Sequence, residues 1–239
     1  MLLQAALNGD LTRGDHPAVP LSPEELARDA AACVAAGAAA IHLHPHDADG
    51  RERLDAEVVD EVVVRVRAAC GVPVGVSTGA WIEPDLERRL ELVRSWRAPD
   101  YASVNISEQD SEQVMEALLT AGVGIEAGVW SVMDAERLAA SGFGDRLVRI
   151  LIEPVDAEPA GAVELVEGIH RTLDRLGLNT PRLQHGDGAA TWVLLRDAVR
   201  RGLDTRVGLE DTVLDPDGAR TAGNKALVRA ARALGAGGS

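Results

Sequence analysis

Cysteine is almost missing from this chain. Only Cys33 and Cys70 occur in 239 residues, and both fall in predicted helices. That excludes a disulfide framework and a cysteine-based metal site, and it sets a reduced, cytoplasmic environment as the expectation. Positive charge is also short. Lys and Arg number 24 against 38 Asp and Glu, a formal net charge of −14. A phosphate backbone or an anionic membrane would repel such a chain, so neither nucleic acid nor membrane is an expected partner. The opening stretch Met1–Asp10 has no basic run of the signal-peptide kind and is too short to span a bilayer. The first predicted strand is not followed by Gly-x-Gly-x-x-Gly, which weighs against a dinucleotide-binding sheet. Aromatic residues make up only 3% of the chain, with one Phe and one Tyr. Trp81, Trp130 and Trp192, each just past a predicted strand, are therefore not general aromatic richness. They wall an apolar pocket or pack loop lids.

What is present is a regular alternation. Short apolar runs read as strands at Leu3–Asn8, Ala39–His44, Pro73–Ser77, Tyr101–Ile106, Gly124–Val129, Leu147–Ile152, Arg182–His185 and Thr205–Leu209. Amphipathic helices follow at about Ser22–Ala36, Asp55–Cys70, Glu83–Trp96, Ser111–Ala121, Asp134–Ser141, Gly161–Gly177, Ala189–Arg201 and Asn224–Leu234. Ser22-Pro23-Glu24-Glu25 is a helix start, and Gly37, Gly71, Gly122, Gly177 and Gly202 are helix stops. Eight strand-then-helix units predict a single α/β domain over residues 1–239, a parallel (β/α)8 TIM barrel. The alternative is an open doubly wound sheet. The Gly-rich tail Gly235–Ser239 is the one low-complexity segment.

Barrel chemistry sits at the C-terminal ends of the strands. Strand two ends in Ile41-His42-Leu43-His44-Pro45-His46-Asp47. Residues two apart in a strand share a face, so His42 and His44 converge on one point. They form half of a divalent-metal site, or else a hydrogen-bonded pair at a strand end. Glu210, past strand eight, is the candidate third ligand, with helix capping as the alternative. Asp211 is a candidate base or an ordinary loop acid. Arg206 should face inward with Glu210 and needs an anion. Glu126, inside an apolar strand, needs a partner, for which Arg206 is the plain candidate. The other strand ends supply Asp10, Ser77, Ser103 and Asn105 as candidate substrate contacts, with Glu126 and His46 beside them, and further polar groups at Glu153 and at His185–Gly188.

With these segments in view, the chain resembles the β-keto acid cleavage enzymes. The matching segments are Asn8-Gly9-Asp10 with His16–Pro20, His42-Leu43-His44, Gly75–Gly79, Ala102–Ile106, Ile125–Gly128 and Arg206–Asp211. The resemblance implies a TIM barrel holding a divalent metal, usually zinc, on His42, His44 and Glu210. It implies exchange of a β-keto acid with acetyl-CoA to give acetoacetate and a new acyl-CoA. Asp211 matches the general base, Arg206 the arginine that polarises the intermediate and supports that base, and Ser77 and Asp10 substrate-pocket positions. A homo-oligomer is expected. Two departures stand out: His46 replaces a common Arg, and the chain is shorter than typical members. Two other activities fit the same residues. One is a metal-dependent aldolase, lyase or decarboxylase acting on a keto acid without CoA. The other is a non-catalytic, metal-holding barrel.

Overall fold

The computed structural model describes residues 1–238; Ser239, the last residue of the Gly-rich tail, lies outside them. Eight parallel strands close into a barrel in chain order: β1 (Leu3–Ala6), β2 (Ala40–Leu43), β3 (Val74–Ser77), β4 (Tyr101–Asn105), β5 (Gly124–Val129), β6 (Arg149–Ile152), β7 (Arg182–Gln184) and β8 (Asp204–Val207). The ring is closed by β1 on β8, with Gln4 opposite Arg206. The helices are α1 (Pro23–Ala36), α2 (Ala56–Cys70), α3 (Leu86–Ser95), α4 (Ser111–Ala121), α5 (Val132–Ser141), α6 (Pro159–Arg175), α7 (Thr191–Arg201) and α8 (Asn224–Ala233).

Period-two alternation along each strand divides the side chains between two cores. Ile41, Leu43, Val74, Val76, Ala102, Val104, Ile125, Ala127, Ile150 and Val207 join the apolar cluster shared with the helices. The residues between them point into the barrel, and many are polar. Gln4 Nε2 donates to Tyr101 Oη and to Glu126 Oε1, both at 3.0 Å, and Tyr101 Oη donates to the Ile41 carbonyl at 2.6 Å. A side chain at Gly75 would be built into the Tyr101 ring, so glycine there lets the phenol cross the barrel.

Sequence and structure differ at several element ends, each for a local reason. Helix α3 begins at Leu86 rather than Glu83, because Pro84 disfavours a helical residue before it and Asp85 caps Arg88 N. Helix α5 begins earlier than expected, at Val132, where the Ser131 hydroxyl accepts from Asp134 N. Helix α6 starts with Pro159 at its first turn. Strand β6 starts at Arg149 because a 3-10 turn over Gly144–Arg146 precedes it. Helix α1 starts after the expected Ser22 cap, and Glu25 completes a capping box, Ser22 and Glu25 each closing on the other's backbone.

Gly208 is where the fold meets the site. A Cβ there would be driven into the carbonyl of Ala6 on the neighbouring strand, so only glycine lets β8 pass before the chain turns to Glu210. Gly208→Ala should lower unfolding stability by about 3 kcal/mol in a denaturant titration, the upper end of ordinary overpacking. An unchanged midpoint would show that β1 yields freely.

Candidate metal centre and active site

His42 on β2 and His44 just past it point at one spot, as their spacing predicts. Their Nε2 atoms are 3.3 Å apart. Glu210 Oε1, from the turn after β8, lies 3.6 Å from His42 Nε2 and 3.5 Å from His44 Nε2. Ligand atoms held on zinc at tetrahedral angles and ordinary Zn–N and Zn–O lengths stand about 3.4 Å apart. All three edges fit that figure, and Glu210 Oε2 is buried without a hydrogen-bond partner. Among the described residues this is the one such cluster of His, Cys, Asp or Glu. The donor set of two imidazoles and a carboxylate suits zinc or a similar divalent ion.

The electrostatics match a cation. Burial drives His42 down to about 3, so its lone pair is free. Burial opposes charge on His44 as well, but the Glu210 and Glu52 carboxylates outweigh it and lift His44 to about 10. His44 Nδ1 contacts Glu52 Oε1 at 2.5 Å. Glu210 is held well below its usual range: burial works against its charge, but Arg206 and the two imidazoles overcome it. Without metal, His44 therefore carries the positive charge that a divalent ion would supply. Between these two histidine values, metal uptake should expel one proton from His44, and apparent affinity should rise about tenfold per pH unit. Calorimetry in buffers of different ionisation enthalpy measures this directly. Metal uptake without proton release would remove His44 from the ligand set.

Arg206 lies inside the barrel beside this triad. Its Nη2 donates to Glu210 Oε1 and to Asp211 Oδ1, both at 2.7 Å, and its Nε donates to Asp211 Oδ1 at 3.0 Å. Arg206 thus meets the two acids that follow it in sequence, not Glu126. The expected Glu126–Arg206 pair is corrected by the register of the sheet. Arg149 stands directly opposite Glu126 on β6, with its Nε 3.1 Å from Glu126 Oε1. Glu126 is fully buried in the barrel and does not line the cavity above the triad. Burial raises its pKa, with Arg149 opposing.

A cavity of about 300 Å³ opens above the triad. Asp10, Ser77, Ser103 and Asn105 line it as expected, Asp10 from an exposed rim position. Asp211 lines it too. Its Oδ1 is taken by Arg206, and its buried Oδ2 has no partner. Burial raises the Asp211 pKa, while Arg206 and His185 pull against that rise. Trp81 and Trp130 form walls; Trp192 lies elsewhere and donates to the Leu214 carbonyl.

His46 is absent from this cavity and lines a separate one. Its Nδ1 sits 2.9 Å from the His44 carbonyl, which also accepts from Asn8 Nδ2 at 2.8 Å, while Asn8 Oδ1 accepts from His44 N at 2.9 Å. His46 and Asn8 together fix the backbone of His44, and burial lowers the His46 pKa. Pro45 turns the chain away, so the period of two that joins His42 to His44 does not reach His46.

Glu153, His185 and Asp187, to which the sequence reading gives strand-end positions but no role, line the cavity; Glu52 is absent from that reading. Glu52 returns to His44 through a tight hairpin in which His46 bridges Glu52, with Asp49-Gly50 at the turn. That turn signal was readable.

The family model described as beta-keto acid cleavage enzyme matches residues 1–237. A 3-keto-5-aminohexanoate cleavage enzyme from Fusobacterium nucleatum is 37% identical over 91 residues, covering 37% of this chain and 34% of that protein. A 3,5-dioxohexanoate:acetyl-CoA acetone transferase from Paraburkholderia graminis is 30% identical over 95 residues, covering 39% of this chain and 30% of that protein. The matched segments thus span about a third of these curated relatives. Among solved structures, a ternary complex of ObcA with a C4-CoA adduct and oxalate superposes with a TM-score of 0.72 at 18% identity. It covers 91% of this chain and 63% of that one, a likeness of fold.

Proposed function

Since the chain belongs to the beta-keto acid cleavage enzyme family, we propose that it is a metal-dependent transferase. In this reading it condenses a β-keto acid with acetyl-CoA to give acetoacetate and a new acyl-CoA, acting as one domain over residues 1–239. The observation that carries the reading is the position of Asp211 Oδ2. It is a buried, unpartnered carboxylate oxygen on a residue that lines the same cavity as three groups able to hold a metal ion. His42, His44 and Glu210 would hold the ion, zinc in the first instance. When bound, that ion would act as a Lewis acid on the keto oxygen of the substrate.

The chain's own groups do the rest. Asp211 removes the α-proton, and Arg206, fixed on Asp211 and Glu210, offsets the negative charge that develops. The carbanionic carbon bonds to the acetyl carbonyl carbon, and CoA leaves as thiolate. The thiolate attacks the original keto carbon, the bond between that carbon and the α-carbon breaks, and acyl-CoA departs. Acetoacetate forms as its enolate and recovers the proton from Asp211. Ser77, Ser103, Asn105 and Asp10 are the proposed substrate contacts, with Trp81 and Trp130 closing the sides. Glu126 and His46 support the barrel and His44 instead.

A cytoplasmic homo-oligomer is the proposed setting. Two free cysteines and exposed apolar side chains at Val64, Met133 and Val148 support it. No helix among the described residues is long and apolar enough to cross a membrane. Consumption of a β-keto acid should require both the metal and acetyl-CoA. Equal consumption without acetyl-CoA would move the assignment to an aldolase or decarboxylase.

A further inference from the structure

The cavity wall beside Asp211 carries a second built arrangement. His185, just past β7, is 2% exposed and has a carboxylate near each ring nitrogen. Its Nε2 is 2.9 Å from Glu153 Oε2, and its Nδ1 is 3.6 Å from Asp211 Oδ1 and 3.3 Å from the Gly186 carbonyl. Both nitrogens therefore face acceptors only. Glu153, just past β6, is fixed at its other oxygen, where Trp130 Nε1 donates to Oε1 at 3.1 Å. Space for this carboxylate exists because residue 128 is glycine: a Cβ there would lie 2.6 Å from Glu153 Oε1. Four strand ends, β5 to β8, are thus shaped around one line of groups, Trp130 to Glu153 to His185 to Asp211.

The line ends on one oxygen of Asp211. Arg206 and His185 both approach Oδ1, leaving Oδ2 as the carboxylate oxygen without a partner. A carboxylate side chain rotates about its last bond unless it is clamped, and one clamp at Oδ1 leaves the tilt of the group undefined. We infer that His185, oriented by Glu153 and Trp130, is a positioning residue for Asp211 that presents Oδ2 to the α-carbon of the substrate. The inference rests on the reading of Asp211 as the base.

The test isolates proton removal from the rest of the reaction. Zinc-loaded enzyme is mixed with acetoacetate in deuterated buffer without acetyl-CoA, and loss of the α-proton signal is followed by NMR against the enzyme-free rate. The wild type should accelerate exchange and Asp211→Asn should not; failure of either overturns the base assignment and this inference with it. Given that result, His185→Gln and Glu153→Gln should each slow exchange about tenfold or more, the scale for losing an orienting partner. Zinc content, melting temperature and acetoacetate affinity should stay at wild-type values. Gly128→Ala, which displaces the Glu153 carboxylate without removing a charge, should slow exchange in the same direction. Wild-type exchange in His185→Gln overturns the inference. So does a slowing matched by lost zinc or lost acetoacetate binding.

Discussion

Asp211→Asn should lower turnover by about 10²-fold or more, the usual scale for a lost general base. The substitution is conservative in every respect but one. Asparagine keeps the shape of the side chain and an acceptor for Arg206, which donates twice to Asp211 Oδ1. It replaces the free, buried Oδ2 with a group that accepts no proton. The proposed metal ligands are untouched, so zinc content and keto-acid affinity should hold while kcat alone falls. Steady-state kinetics with parallel metal analysis checks this. An unchanged rate would make Asp211 simply the counter-ion that lets Arg206 be buried.

A larger loss is expected from His42→Ala and Glu210→Ala. Each removes one corner of a triangle whose edges are 3.3 to 3.6 Å. The bound ion should fall to background levels and activity by about 10³-fold or more, since Lewis-acid stabilisation is a matter of several kcal/mol. The barrel should persist, because its stability lies in the apolar layer between strands and helices and in the Gln4–Tyr101–Glu126–Arg149 cluster, not in the ligands. Melting curves of the metal-free wild type and the variants should coincide closely. Stoichiometric zinc in the double variant would refute the ligand assignment.

The strands and the convergence of His42 with His44 were readable because both rest on short-range regularities. The step from His42 to His44 is a strand period, and the proximity of Arg206, Glu210 and Asp211 follows from a single strand end. What the sequence hid depends on closure of the sheet. The partner of Glu126 is Arg149, a choice made by cross-strand register. Glu153 reaches the cavity only because Gly128, on the next strand, leaves room. His46 misses the cavity because Pro45 ends the alternation, leaving the ring on the backbone of His44.

The most direct measurement follows carbon rather than rate. Metal-loaded enzyme is incubated with acetyl-CoA carrying carbon-13 in both acetyl carbons and with each of a panel of β-keto acids, and the acetoacetate formed is read by NMR. Under this account the label appears together in the methyl and keto carbons of acetoacetate, the carboxylate end stays unlabelled, and an unlabelled acyl-CoA forms in equal amount. Consumption of a keto acid with no label in acetoacetate, or without any acyl-CoA, would contradict it.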